Sequence, residues 1–182
     1  WDAIKTNNKE MDASKGYAPS KLQVAIPPES SKTTICSHLF PAWVLGKDPK
    51  MRIMVICHGG DHAAKMIGNP VKQIIQMESY QEIFPETKLS KDMTANGFWM
   101  TNKYPGGLFA GGRDARYPGK RANLLIVDDA NSEQDTKGER KTINDNCGIG
   151  WESRLLAKNS GQLIVQTRWH LDDIAGYLYD RD

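Results

Sequence analysis

A chain of 182 residues suffices for one domain with an apolar core and is too short for two large ones. Apolar residues make up 39% and charged residues 25%, both ordinary for a soluble globular protein. No apolar run approaches the roughly 18 residues of a membrane span, and residues 1 to 21 are polar and mixed in charge, unlike a signal peptide. The net charge of +2 hides an asymmetry: residues 91 to 121 carry six basic and two acidic side chains, and residues 122 to 182 carry seven and eleven. That pattern suits a phosphate-contacting surface or head-to-tail packing of subunits.

The pattern predicts strands alternating with helices. Leu22 to Ile26 forms a short strand that runs into Pro27-Pro28. Residues 33 to 45 form a helix closing at Gly46. Arg52 to Cys57 is a buried strand, and a helix spans about Asp61 to Ser79, kinked or split at Pro70. Gly97 to Thr101 and Leu108 to Ala110 flank a Pro-Gly-Gly turn and predict a β-hairpin. A Gly/Arg-rich loop spans 111 to 121. Asn123 to Val127 is a third buried strand, followed by a polar stretch and a helix reaching about Lys158. Gly161 to Thr167 is a fourth buried strand, and a last helix starts at Asp172. Continuous apolar strands between helices predict an α/β domain with a mostly parallel sheet, its ligands bound at the carboxyl ends of the strands.

Three segments at those ends carry chemistry. Pro27 to Thr34 lies between a strand and a helix, where backbone N–H groups can cradle phosphates. Lys32 would reach the β and γ phosphates and Thr33 would hold Mg²⁺. An ordinary helix start at Ser30 or Ser31 accounts for the same residues, since Ile26 and Ser31 stand where a phosphate loop usually has glycine. Leu124 to Val127 followed by Asp128-Asp129 has the Walker B pattern: Asp128 for the metal, Asp129 to activate water. The bland reading is a strand ending in a solvated acidic turn. Gln166, Thr167 and Arg168 end the next strand, where a γ-phosphate sensor would sit. Cys36, Cys57 and Cys147 form no CxxC pair and read as reduced thiols. His58 and His62 straddle a turn, which is weak metal spacing.

Longer matches carry a resemblance. Phe40 to Gly46 is FPAWVLG, Tyr80 to Pro85 is YQEIFP, Leu124 to Ala130 is LLIVDDA, and Thr167 to Leu178 is TRWHLDDIAGYL. With Asp92, Trp99, Thr101 and Gly106-Gly107, these make the chain similar to the ATPase region of tailed-bacteriophage and prophage large terminase subunits. The resemblance covers nearly the whole length. It implies one terminase ATPase domain over 1–182, a three-layer phosphate-loop NTPase of the additional-strand type, with a β-hairpin insertion. It implies ATP and Mg²⁺, with Pro28, Glu29, Ser30, Ser31, Lys32, Thr33 and Thr34 around the nucleotide, and Thr33 and Asp128 on the metal. Catalysis would fall to Lys32 and Asp129, with Lys120 and Arg121, or Arg113 and Arg116, as basic groups acting on a neighbouring subunit. Gln166, Thr167 and Arg168 would couple hydrolysis to movement. Implied partners are double-stranded DNA, the portal of the procapsid and the small terminase subunit. The chain would be monomeric alone and a ring when assembled, in the host cytoplasm, without membrane contact. Whole members of the family carry a further nuclease domain, so no nuclease activity is expected of these residues. Where that family has PPRHGKS, this chain has PPESSKT, with Glu29 in place of a basic residue and Ser31 in place of glycine. A non-catalytic docking or assembly module with a degenerate loop is the alternative.

Overall fold

The computed structural model describes residues 20–115, 117, 119–156 and 160–180; Arg116 lies outside them. Seven strands form one sheet: β1 (Ser20–Ala25), β2 (Arg52–Cys57), β3 (Leu89–Ala95), β4 (Phe98–Thr101), β5 (Gly107–Gly112), β6 (Leu124–Asp128) and β7 (Gly161–Gln166). Their order is β1-β7-β6-β2-β5-β4-β3. The first five in that order are parallel, and β4 runs antiparallel to both β5 and β3. The predicted hairpin is the β4–β5 pair, with Trp99 opposite Leu108. Strand β3 escaped the sequence reading because it is a polar edge strand, exposed from Lys91 onward, with no apolar run to mark it.

Helices cover both faces. On one face lie α1 (Thr34–Leu39, continuing as Phe40–Lys47), α2 (Gly60–Ala63, Ala64–Gly68 and Asn69–Gln76) and α3 (Glu78–Ile83). Ile53, Val55, Leu108, Ile126 and Val165 meet Leu45, Ile67 and Ile75 there. On the other lie α4 (Lys137–Asp145, continuing as Asn146–Trp151) and α5 (Ile174–Tyr179). Met54, Ile56, Leu125, Val127 and Ile164 meet Ile143, Trp151 and Ile174 there. Burial of alternate side chains on both faces is why these strands read as unbroken apolar runs. Each fully buried aliphatic side chain contributes roughly 1.5–3 kcal/mol.

The predicted helix over 61–79 is two helices, because Met77 turns extended with ψ 140°. Pro70 does not break it: a widened, π-helical turn at Ala64–Gly68 precedes it, and Pro70 starts the next segment, where its missing N–H costs little. The residues between the chemical motifs build this frame. Tyr80 Oη donates to Ala42 O at 2.8 Å and Thr87 Oγ1 to Leu45 O at 3.0 Å, docking the end of α3 on α1. Trp99 is fully buried and its indole N–H donates to Gly68 O at 3.0 Å, pinning the hairpin to α2.

Candidate functional site

Strand β7 lies between β1 and β6, so the loop after β1 and the two acids after β6 share the carboxyl edge of the sheet with Gln166. The β1–β7 ladder extends through Ile26 N–H to Gln166 O at 3.3 Å. The chain then turns sharply. Ser30 Oγ donates to Pro27 O at 2.8 Å. Glu29 and Ser31 adopt φ of 62° and 56°, the left-handed conformation in which glycine is free of strain. Ser31 therefore occupies a glycine geometry without being glycine. Left-handed residues in alternate positions help successive N–H groups converge on an anion; beyond them the helix is already hydrogen-bonded by Ile35, whose N–H donates to Ser31 O at 3.0 Å.

Two side-chain contacts tie this loop to the acids. Lys32, itself buried, places Nζ 2.9 Å from Asp129 Oδ2. Thr33 Oγ1 lies 3.4 Å from Asp128 Oδ1, across 95 residues of sequence. Alternation along β6 turns Asp128 to the α1 face, with Ile126 and Leu124. Burial pushes its carboxyl above the usual range; Ser37 pulls it back, Asp129 pushes it further up, and Thr33 and Lys32 pull it down. Ser37 is fully buried on α1 and its hydroxyl lies without a hydrogen-bond partner at normal distance.

Asp129 has φ 43°. Its backbone N–H donates to Val165 O at 2.8 Å, and its Oδ1 accepts the Thr167 N–H at 2.6 Å. One carboxylate thus joins the loop lysine to the end of β7. No cluster of three or more His, Cys, Asp or Glu side chains suited to a metal occurs among the described residues. A hydroxyl and a buried carboxylate in contact are nonetheless the hard-oxygen pair that a Mg²⁺–phosphate complex needs from a protein, since the phosphates and water complete the shell. Thr33 and Asp128 fit that role. The three cysteines are free thiols, as the sequence implies.

The structure divides the proposed coupling residues. Only Thr167 touches the site, and does so through its backbone. Gln166 is fully buried on the same face as Ile164, its amide N–H donating to Thr167 O at 2.8 Å and its Oε1 unpartnered. Arg168 is turned away: its Nε donates to Asp173 Oδ2 at 3.0 Å. Asp173 is fully buried and also accepts from Trp169 N, His170 N and, as the cap of α5, Gly176 N. Gly176 completes this turn, because a Cβ there would lie 1.8 Å from Leu171 O. The long TRWHLDDIAG match is thus a self-bonded corner. It is braced to the loop after β6 by Ile174 N–H on Asn131 Oδ1 at 3.0 Å and by His170 Nε2 against Glu133 O at 3.1 Å. The helix predicted from Asp172 starts at Ile174, with Asp173 as its cap and Asp172 bound to Arg140 at 2.7 Å.

The basic candidates do not converge on the loop. Arg113 is buried, with Nη1 on Asp135 at 2.8 Å and on Ala130 O at 2.8 Å, so it cannot swing to a neighbour. Burial raises the Asp135 carboxyl, but hydrogen bonds from Ser132, Arg113 and Asn131 outweigh it and hold the group below its usual range. Lys120 and Arg121 precede β6 at the amino edge of the sheet, and five residues of strand, roughly 16 Å, separate that edge from Asp128. Lys120 Nζ sits 4.1 Å from the Phe98 ring centroid and 4.6 Å from that of Phe109, and Arg121 Nη1 donates to Ser153 O at 3.1 Å. Within the chain they lie apart from the loop; the action expected of them was on a neighbouring subunit. No local signal marked the buried Ser37, the Asp129–Thr167 link or the Arg113–Asp135 pair, since each depends on how distant segments pack.

Neither models of known protein families nor the curated proteins contain a match to this sequence.

Proposed function

We propose that the chain is a Mg²⁺-dependent ATP hydrolase domain of the phosphate-loop class, working as the DNA-packaging motor domain of a viral large terminase subunit. The observation that carries this reading is the meeting of two separately predicted motifs: Lys32 with Asp129 at 2.9 Å and Thr33 with Asp128 at 3.4 Å. The strand order supports it, since one strand between the loop strand and the acid strand is the arrangement of the additional-strand class.

Thr33 and Asp128 would hold Mg²⁺, which when bound neutralises charge on the phosphate oxygens. The loop N–H groups and Lys32 bind the polyphosphate, and Lys32 offsets charge gathering on the γ phosphate during in-line attack. Asp129 orients the attacking water and takes its proton, once Lys32 has moved from the carboxylate to the phosphate. Thr167 then reports the change at Asp129 to the corner that follows it. Double-stranded DNA, the procapsid portal, the small subunit and a ring of copies belong to this reading as partners.

A second reading has a specific observation behind it. Glu29 and Ser31 hold left-handed backbone at positions suited to glycine, and Glu29 adds a negative charge beside any polyphosphate. A non-catalytic docking module would tolerate both. Thermal melting separates the readings, because a ligand bound only to the folded state must stabilise it. Mg²⁺-ATP is expected to raise the melting temperature, and Lys32→Ala to abolish that rise and slow phosphate release at least about tenfold, near 1.4 kcal/mol. No stabilisation at millimolar nucleotide would leave the docking module.

A further inference from the structure

The helices on the α4 side pack over β2, β6 and β7, and leave much of that face of the β5–β4–β3 half of the sheet to the loop before β6. A groove of about 340 Å³ opens there. It lies by the amino ends of β2 and β6, away from the loop, Asp128 and Asp129. Its floor is Phe98, Met100 and Phe109, the side chains that point opposite to buried Trp99 and Leu108. Tyr104 stands at its rim, 82% exposed.

The charges lining the groove are all of one sign: Arg52, Lys120 and Arg121, with no acidic side chain. Lys120 is held over two rings by cation–π contact, which keeps its ammonium at the apolar floor. Arg52 has a buried Nε with no hydrogen-bond partner, although its backbone N–H is satisfied by Asn123 Oδ1 at 3.0 Å. A buried guanidinium N–H without an acceptor is costly unless something supplies one. An anion with a flat apolar part would match this lining: phosphate oxygens for the cations, and a ring for exposed Tyr104 at the rim.

The geometry points to a single-stranded nucleic-acid contact, with an unpaired base stacked on Tyr104 at the rim and its flanking phosphates on Arg52, Lys120 and Arg121. Duplex DNA satisfies only half of the groove. Its phosphates could reach the cations, but its bases are stacked on one another and cannot stack on Tyr104. An exposed aromatic such as Tyr104 beside a cluster of cations is what an unstacked base and its phosphates require. An acidic segment of a second copy could satisfy the cations, but would leave Tyr104 without a ring to stack on. The inference is independent of whether the loop binds nucleotide, and it goes beyond the double-stranded substrate of the proposed motor: it assigns a site for a strand end or an unpaired stretch.

The test is fluorescence anisotropy of the full chain with an oligothymidylate of about 20 nucleotides and a duplex of the same length, across a salt series. The single strand is expected to bind more tightly than the duplex. Tyr104→Ala, at an exposed position where folding is not at risk, should weaken single-strand binding roughly tenfold, and Tyr104→Phe should restore it. Lys120→Ala/Arg121→Ala should lower the slope of log affinity against log salt by about 1.4, the loss of two counterion-releasing contacts on a single strand. Unchanged melting curves would show that each variant folds. Absence of single-strand binding would overturn the inference. So would duplex binding equal to single-strand binding with Tyr104→Ala silent. Sedimentation showing that wild type self-associates, and that the double variant does not, without oligonucleotide binding, would assign the groove to a second copy instead.

Discussion

Asp129→Asn isolates the contact on which the proposed chemistry turns. Lys32 Nζ is 2.9 Å from Asp129 Oδ2, with Lys32 only 9% and Asp129 35% exposed at the side chain. Two unit charges at that separation attract by about 6 kcal/mol at an effective dielectric near 20. Desolvation of the buried lysine takes back most of this, leaving about 1–2 kcal/mol net. Lys32 must leave Asp129 to reach a phosphate, so the pair opposes nucleotide binding by its own net worth. Asparagine keeps the oxygen that accepts the Thr167 N–H at 2.6 Å and removes the charge. The variant should bind Mg²⁺-ADP about 5- to 30-fold more tightly, the factor for 1–2 kcal/mol. Without nucleotide it should melt a few degrees lower, since Lys32 is left buried and unpaired, and hydrolysis should stop. Titration calorimetry and melting with and without nucleotide measure both effects. Equal or weaker affinity, together with an unchanged melting temperature of the empty protein, would refute the argument that the pair competes with the phosphate.

Asp128→Asn should stabilise the empty protein at neutral pH by about 1–2 kcal/mol, the scale for replacing a poorly compensated buried charge by a neutral isostere. Because burial raises the folded-state carboxyl, the unfolded chain releases its proton first as pH rises. Wild type therefore loses stability from about pH 4 upward, until the raised value is passed, and the variant should lack that loss; superimposable melting-against-pH curves would contradict the assignment. Mg²⁺-nucleotide should stabilise wild type and not this variant. Ser31→Gly with Glu29→Arg should tighten nucleotide binding, because φ 56° at residue 31 suits glycine and a repelling charge becomes attractive; calorimetry showing no gain would count against the loop. Asp173→Ala should cost about 3 kcal/mol and lower the melting temperature by roughly 6–12 °C, since its carboxylate, fully buried, accepts from Arg168, Trp169, His170 and Gly176. A fall of less than about 2 °C would show that the corner holds without it.

Three buried strands were legible in the sequence within a residue of where they form, because burial on both faces writes them as unbroken apolar runs: Arg52–Cys57, Leu124–Asp128 and Gly161–Gln166 are nearly bare of charge. Strand β1 also announced itself, although its side chains are largely exposed, because Pro27-Pro28 ends it. Lys32, Thr33, Asp128 and Asp129 were legible as types at strand ends, where side chains leave the sheet. Which of them meet was not, since contact at the edge follows from strand order, and the order β1-β7-β6 comes from packing across the whole sheet. The same holds for Arg168, Lys120 and Arg121. Their charge and position in the chain suggested a part in phosphate chemistry. Tertiary structure turned Arg168 onto Asp173 and carried Lys120 and Arg121 to the other edge, because β6 must cross the sheet between those basics and its two acids. Local sequence determined the elements and the chemistry each could offer. The long-range pairing of parallel strands, which no local signal encodes, decided which groups share a site.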